Sequence, residues 1–110
     1  MASVVYVVPA EGDIPRETVN GIRRAADIAA IVRQSVALTH GAAFSMWGVC
    51  PFCSSKRAAL NVVPDKGIWH CFDCGDGGDV FTFVMRRDGV TFRDAVETVN
   101  ATLADVPPAR

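Results

Sequence analysis

Cys50, Cys53, Cys71 and Cys74 are the four cysteines of the chain, and they form two Cys-x-x-Cys pairs with none left over. Two residues between paired cysteines let both thiolates reach one ion while the intervening backbone turns its amides toward the sulfurs. In a reducing compartment, thiols spaced this way are more often metal ligands than disulfides. Seventeen residues, Ser54 to His70, separate the pairs, enough for two strands to bring the second knuckle beside the first. A closed tetrahedral site of four sulfurs suits one structural Zn²⁺, whose binding contributes on the order of 10 kcal/mol to folding a small domain. Rubredoxin-like iron and a redox dithiol are the competing readings, and either would make the chain an electron-transfer protein. His70, next to Cys71, is a further possible ligand, but with four thiols available it reads as a structural or nucleic-acid-facing residue; His40 reads as a solvated turn residue.

The elements that must position these sulfurs can be traced on both sides of them. Val36-Ala37-Leu38 and Ala43 to Trp47, separated by His40-Gly41, read as strands that lead into the first pair. Ala59 to Val63 and Gly67 to His70 read as a second strand pair joined by Pro64-Asp65-Lys66-Gly67, with the second knuckle at its end. Upstream, Ile14 to Ser35 has helical periodicity, with Asp27 as an N-cap. Downstream, Asp79 caps a helix through Arg87 that stops at Asp88-Gly89. Thr91 and Asp94 resemble a capping box before a last helix whose buried face carries Phe92, Ala95, Val96, Val99 and Leu103. The expected fold is α+β: a zinc-ribbon-like small antiparallel sheet with two cysteine knuckles, flanked by N-terminal and C-terminal helices. Residues 1–13, with the β-prone run Val4 to Val8, read as an extended leader ending in a turn, and 105–110 as a flexible tail.

Composition limits what this arrangement can serve. The chain has 110 residues, half of them hydrophobic, which is enough for one folded domain and too little for two catalytic ones. Eleven basic against twelve acidic side chains leave a formal charge of −1, so there is no uniform cationic field and any nucleic-acid contact must be local. The longest apolar run, Val4 to Ala10, is far short of a bilayer span and is not preceded by Lys or Arg; the chain reads as soluble and cytoplasmic, without a membrane partner. Its carboxylates are dispersed, with Asp73, Asp76 and Asp79 beside the metal knuckle and no second cluster to hold Mg²⁺ around a triphosphate. No nucleophile motif appears, so the chain alone is expected to make no phosphodiester bonds.

Cys50-Pro51-Phe52-Cys53, the run Asn61 to Gly75 containing Trp69-His70-Cys71-Phe72-Asp73-Cys74, and Gly77-Gly78-Asp79-Val80 closely resemble the zinc-binding domain of bacterial DnaG-type DNA primases. The resemblance extends from Ile14-Pro15 to Leu103, about ninety residues. In that family the ligands are usually Cys, His, Cys and Cys, so the resemblance puts Cys50, Cys71 and Cys74 at expected positions and Cys53 where a histidine normally stands. Arg57-Ala58-Ala59-Leu60, Asp73 and Asp76 depart from the family pattern. The resemblance implies a module, residues 14–104, that recognises single-stranded DNA template for RNA primer synthesis in replication. It also implies partnership with a primase polymerase core or replicative helicase in trans. A zinc-stabilised protein-interaction adaptor of a phage or mobile element is the alternative.

The residues themselves give some support for DNA contact. Between Val36 and Phe72, Lys56, Arg57 and Lys66 face a single acid, Asp65, and five of nine aromatic residues fall in the same stretch. Unpaired bases stack on such rings at about 1 to 3 kcal/mol each. Phe44, Phe52 and Phe72 are assigned to packing, and Lys56, Arg57, Lys66, Trp69 and His70 to DNA contact.

Overall fold

The computed structural model describes residues 6–41, 44–53 and 55–104. The helical stretch before the sheet divides in two, because Ala26 is extended at φ −74°, ψ 144°. The first helix, α1 (Arg16–Ala25), starts behind Pro15. The second, α2 (Ile28–Arg33), starts at Asp27, whose side chain accepts from the Ala30 amide at 3.1 Å. That bond satisfies one of the amides that a helix N-terminus leaves unpaired.

Five short strands follow in sequence order as one antiparallel sheet: β1 (Thr39–His40), β2 (Met46–Gly48), β3 (Leu60–Val63), β4 (Ile68–Cys71) and β5 (Gly77–Asp79). The first lies later than the expected Val36–Leu38. The Val36 amide instead bonds the Val32 carbonyl at 2.9 Å, prolonging the helical turn, and the side chain is buried. Ala43, expected in the next strand, lies outside the described residues. Register pairs Met46 with Val62 and Val62 with Trp69, and pairs Trp47 with Asn61 and Asn61 with His70. Because successive side chains alternate across a pleated sheet, Met46, Leu60, Val62, Trp69 and Cys71 share one face and are all buried. Trp47, Asn61 and His70 share the other.

Asp79 ends β5 and caps α3 (Val80–Asp88), accepting from the Thr82 amide at 2.9 Å; Gly89 closes the helix in the left-handed region at φ 66°. The next helix, α4 (Phe92–Ala104), begins where the Thr91 hydroxyl accepts from the Asp94 amide at 3.1 Å. The buried sheet face and the helices enclose one core containing Ile22, Val32, Phe81, Phe83, Val96 and Val99. The described part of the leader lies against α4: the Tyr6 amide donates to Asn100 Oδ1 at 2.9 Å, and Asn100 Nδ2 donates back to the Tyr6 carbonyl at 2.7 Å. Val4, Val5 and the tail 105–110 lie outside the described residues. Among those described, no helix is long and apolar enough to cross a membrane. The α+β arrangement of sheet, knuckles and flanking helices is the one expected from the sequence.

Candidate metal centre and nucleic-acid face

β2 runs into the first cysteine pair and β4 ends within the second. The β3–β4 pairing, with Leu60 opposite Cys71, carries the second pair to the end of the sheet where the first lies. The Sγ atoms of Cys50, Cys53, Cys71 and Cys74 all lie within 4.8 Å of one another, and Cys53 and Cys71 approach to 3.9 Å. A tetrahedral Zn²⁺ with Zn–S bonds near 2.3 Å needs sulfurs about 3.8 Å apart, so the four thiols fit one such ion with little movement. Each knuckle turns an amide toward its leading sulfur: Phe52 N to Cys50 Sγ at 3.4 Å and Cys74 N to Cys71 Sγ at 3.5 Å.

Without a cation, the four sulfurs hold their protons unevenly. Burial pushes the Cys50 thiol up to about 12 against the pull of the Phe52 amide, and the Cys71 and Cys53 thiols add to the rise. Burial also raises Cys71, but the amides of Cys74 and Asp73 and the Cys74 and Cys50 thiols outweigh it and bring Cys71 down to about 7. The Asp76 amide lowers Cys74, yet desolvation by its neighbours and the Cys71 and Cys53 thiols hold it above its ordinary value. A cluster in which Cys50 and Cys74 hold their protons above the ordinary thiol range is stabilised by a divalent cation, which replaces those protons. The four sulfurs are positioned to hold one metal ion, and one structural Zn²⁺ is the ion that the donor set and its geometry fit.

The three acids beside the knuckles, which by sequence position form a repulsive cluster, each carry an arginine. Arg57 pairs with Asp73 through Nη2 and through Nε at 3.2 Å, and the Ser55 hydroxyl donates to the same carboxylate. The Arg57 and Ser55 hydrogen bonds hold that carboxyl below the usual carboxylate range and tie the chain after the first knuckle to the inside of the second. Arg86 pairs with Asp76 at 2.5 Å, its guanidinium over the Phe52 ring, and Arg23 pairs with Asp79 at 3.1 Å.

The sheet face away from the helices carries a row of rings. Trp47 stacks on Phe72 with centroids 5.8 Å apart, and His70 meets Phe72 edge-on at 4.6 Å. Gly41 leaves room for the Trp47 ring, since a Cβ there would come within 2.5 Å of it. Phe72 is 64% exposed and Phe44 82%, which corrects the assignment of both to packing. Trp69 is corrected in the opposite sense. It is 2% exposed, lies edge-on to Phe83 and Phe52, and donates from Nε1 to the Asp79 carbonyl at 2.9 Å. A ring enclosed in this way has no face to offer a base.

Of the other residues assigned to DNA contact, His70 lies on the open face. Lys66 is exposed on the β3–β4 turn, and Lys56 is exposed beyond the first knuckle. Arg57 is exposed too, but its guanidinium is engaged by Asp73. The open-face Trp47 and Phe72 were missed. The available signal was Cys71 itself: an inward-facing ligand at 71 fixes Trp69, two residues earlier in the strand, as inward too, leaving His70 facing out.

A family model described as the CHC2 zinc finger, the zinc ribbon of DnaG, matches residues 14–106. A DNA primase of Listeria monocytogenes is 44% identical over 87 residues, which is 78% of this chain and 14% of the relative. A DNA primase of Halalkalibacterium halodurans is 40% identical over 97 residues, 88% of this chain and 16% of the relative. The chain thus spans about one seventh of the length of these curated relatives. Among solved structures, the Aquifex aeolicus primase, determined with its zinc-binding and RNA polymerase domains, superposes with a TM-score of 0.73 at 26% identity, over 78% of this chain and 21% of that one.

Proposed function

The chain belongs to the CHC2 zinc-finger family of DnaG zinc ribbons, and from that membership we propose that it holds single-stranded DNA template on the open face of its sheet during RNA primer synthesis. The zinc ion is scaffold in this reading. It fixes the ends of β2 and β4, and so sets the spacing of the rings between them. The partners are single-stranded DNA and a primase polymerase core or replicative helicase in trans; primer chemistry belongs to that core, and the chain acts in DNA replication as a primosome component of the cytoplasm.

The observation that carries this reading is the open-face row of Trp47, Phe72 and His70, with exposed Lys66 on the β3–β4 turn and exposed Lys56 beyond the zinc end. Stacking rings bind bases with little sequence demand, and flanking cations follow the phosphates. Pairing of Asp73, Asp76 and Asp79 with arginines removes bare carboxylates from the strand's approach.

Fluorescence anisotropy with short single-stranded oligonucleotides at low salt tests the proposal. Trp47→Ala and Phe72→Ala are each expected to weaken binding about tenfold, the lower part of the range for one stacked base. With two unpaired lysines as the phosphate contacts, log K against log salt should have a slope of about −1.4. Absence of binding at low salt, or unchanged affinity in both ring variants, defeats the proposal.

A further inference from the structure

A shallow groove of about 500 Å³ lies beside β5, lined by Ile68, Trp69, His70, Gly75, Gly77 and Gly78. It exists because this strand is built of glycine. A Cβ on Gly77 would come within 2.7 Å of the Trp69 carbonyl oxygen and 3.0 Å of His70 Nδ1. One on Gly78, at φ 156°, would press to 2.7 Å on the Thr82 side chain. The same requirement leaves positions 77 and 78 without side chains, so the floor there is backbone. Ile68, 43% exposed, and His70 stand beside that floor. β5 is also the last strand of the sheet, so one row of its backbone donors and acceptors is not taken up by a neighbouring strand.

We infer that this groove seats one unpaired base of the bound strand and is where the domain discriminates among bases. The inference rests on the template-binding role proposed above. Three observations favour a base as the occupant. The floor is glycine backbone and the lining mostly apolar, with one imidazole able to hydrogen-bond a base edge. The groove continues the ring stripe, because His70 belongs to both and packs edge-on against Phe72. The acids that bracket its glycines, Asp76 and Asp79, are covered by Arg86 and Arg23, so a phosphodiester chain leaving the groove passes paired groups. Trp47 and Phe72 supply affinity that any base can satisfy. Selectivity requires a polar group fixed beside the base edge, and His70 at the groove provides one.

The full zinc-loaded chain, titrated by anisotropy with oligo-dA, oligo-dC, oligo-dG and oligo-dT, reads the spread between tightest and weakest. Ile68→Trp, which fills the groove, is expected to shrink that spread about tenfold while changing the weakest affinity less than about threefold; His70→Ala, which removes an imidazole that also belongs to the ring row, is expected to shrink the spread by the same factor on top of any common loss of affinity. Melting temperature and zinc content confirm that both variants are folded. In the unsubstituted chain, the Ile68 methyl and His70 imidazole resonances are expected to shift on addition of the tightest oligonucleotide. A spread that survives both substitutions, a uniform loss across all four oligonucleotides in the Ile68→Trp chain, or Ile68 and His70 resonances that stay in place overturns the inference and leaves template binding standing. If the unsubstituted chain binds none of the four, both fall together.

Discussion

Replacing Trp69 with alanine is expected to attack the fold and not a DNA contact. The indole is 2% exposed, touches Phe52 and Phe83 at centroid distances of 5.5 Å, and satisfies the Asp79 carbonyl. Truncating a buried Trp costs about 3 to 5 kcal/mol, from lost transfer energy and the cavity left behind. The carbonyl that loses its donor adds about 1 kcal/mol. Domains of this size are stable by only about 5 to 15 kcal/mol, so Trp69→Ala should remove a large share of the stability. At roughly 4 °C per kcal/mol the melting temperature should fall by about 15 °C or more, measured by circular dichroism at fixed zinc. Trp69→Phe keeps a ring in the cavity and forfeits the hydrogen bond, so its loss should be no more than about half as large. A Trp69→Ala protein that melts within a few degrees of the parent yet binds oligonucleotide poorly would behave as an exposed stacking ring does, and would refute the packing argument.

Cys71→Ser removes a buried sulfur at the end of β4 and is expected to abolish both zinc binding and cooperative unfolding, because a structural ion contributes on the order of 10 kcal/mol; a zinc-free variant that still melts cooperatively near the parent temperature would contradict this. Zinc binding to the metal-free chain at pH 7 should release at least about two protons per ion, since Cys50 and Cys74 are held above their ordinary values and must ionise to coordinate. Calorimetry in buffers of different ionisation enthalpy counts them, and fewer than one proton per ion would show that the thiols do not coordinate as described. The sign for stability follows: ligation depresses the effective pKa of each sulfur, so the zinc contribution is present at neutral pH and is lost as pH falls.

What could be read from the sequence was whatever a local rule decides. The cysteine spacing, the Asp27 and Asp79 caps and the Gly89 stop each depend on residues within four positions of one another, and each is found where the rule puts it. β5 escaped because Gly-Gly-Asp has no intrinsic strand preference; its place comes from pairing with β4 and from the room that Trp69 and Thr82 leave. Trp69 and Phe72 were exchanged between core and surface because composition says that a strand stretch is aromatic without saying which phase of the pleat faces in. The metal ligand at Cys71 supplies that phase. The arginine partners of Asp73, Asp76 and Asp79 lie 16, 10 and 56 residues away in sequence, beyond any periodicity argument.

Those pairings change the electrostatic case for the open face. Four thiolates around Zn²⁺ carry a formal charge of about −2, and three further carboxylates in the knuckle and β5 region would set a single strand against strong repulsion. With Arg57, Arg86 and Arg23 in place, the three carboxylates are compensated, and the remaining excess is the sulfur cluster, where Cys50 and Cys71 are buried, together with exposed Asp65 beside Lys66. In the proposed template role, Lys56 beyond the first knuckle and Lys66 on the β3–β4 turn supply the phosphate contacts against that excess, which is why the expected salt dependence is shallow. In that proposed role affinity comes mainly from Trp47 and Phe72, and the sheet that holds those rings at their spacing depends in turn on the ion that joins the ends of β2 and β4.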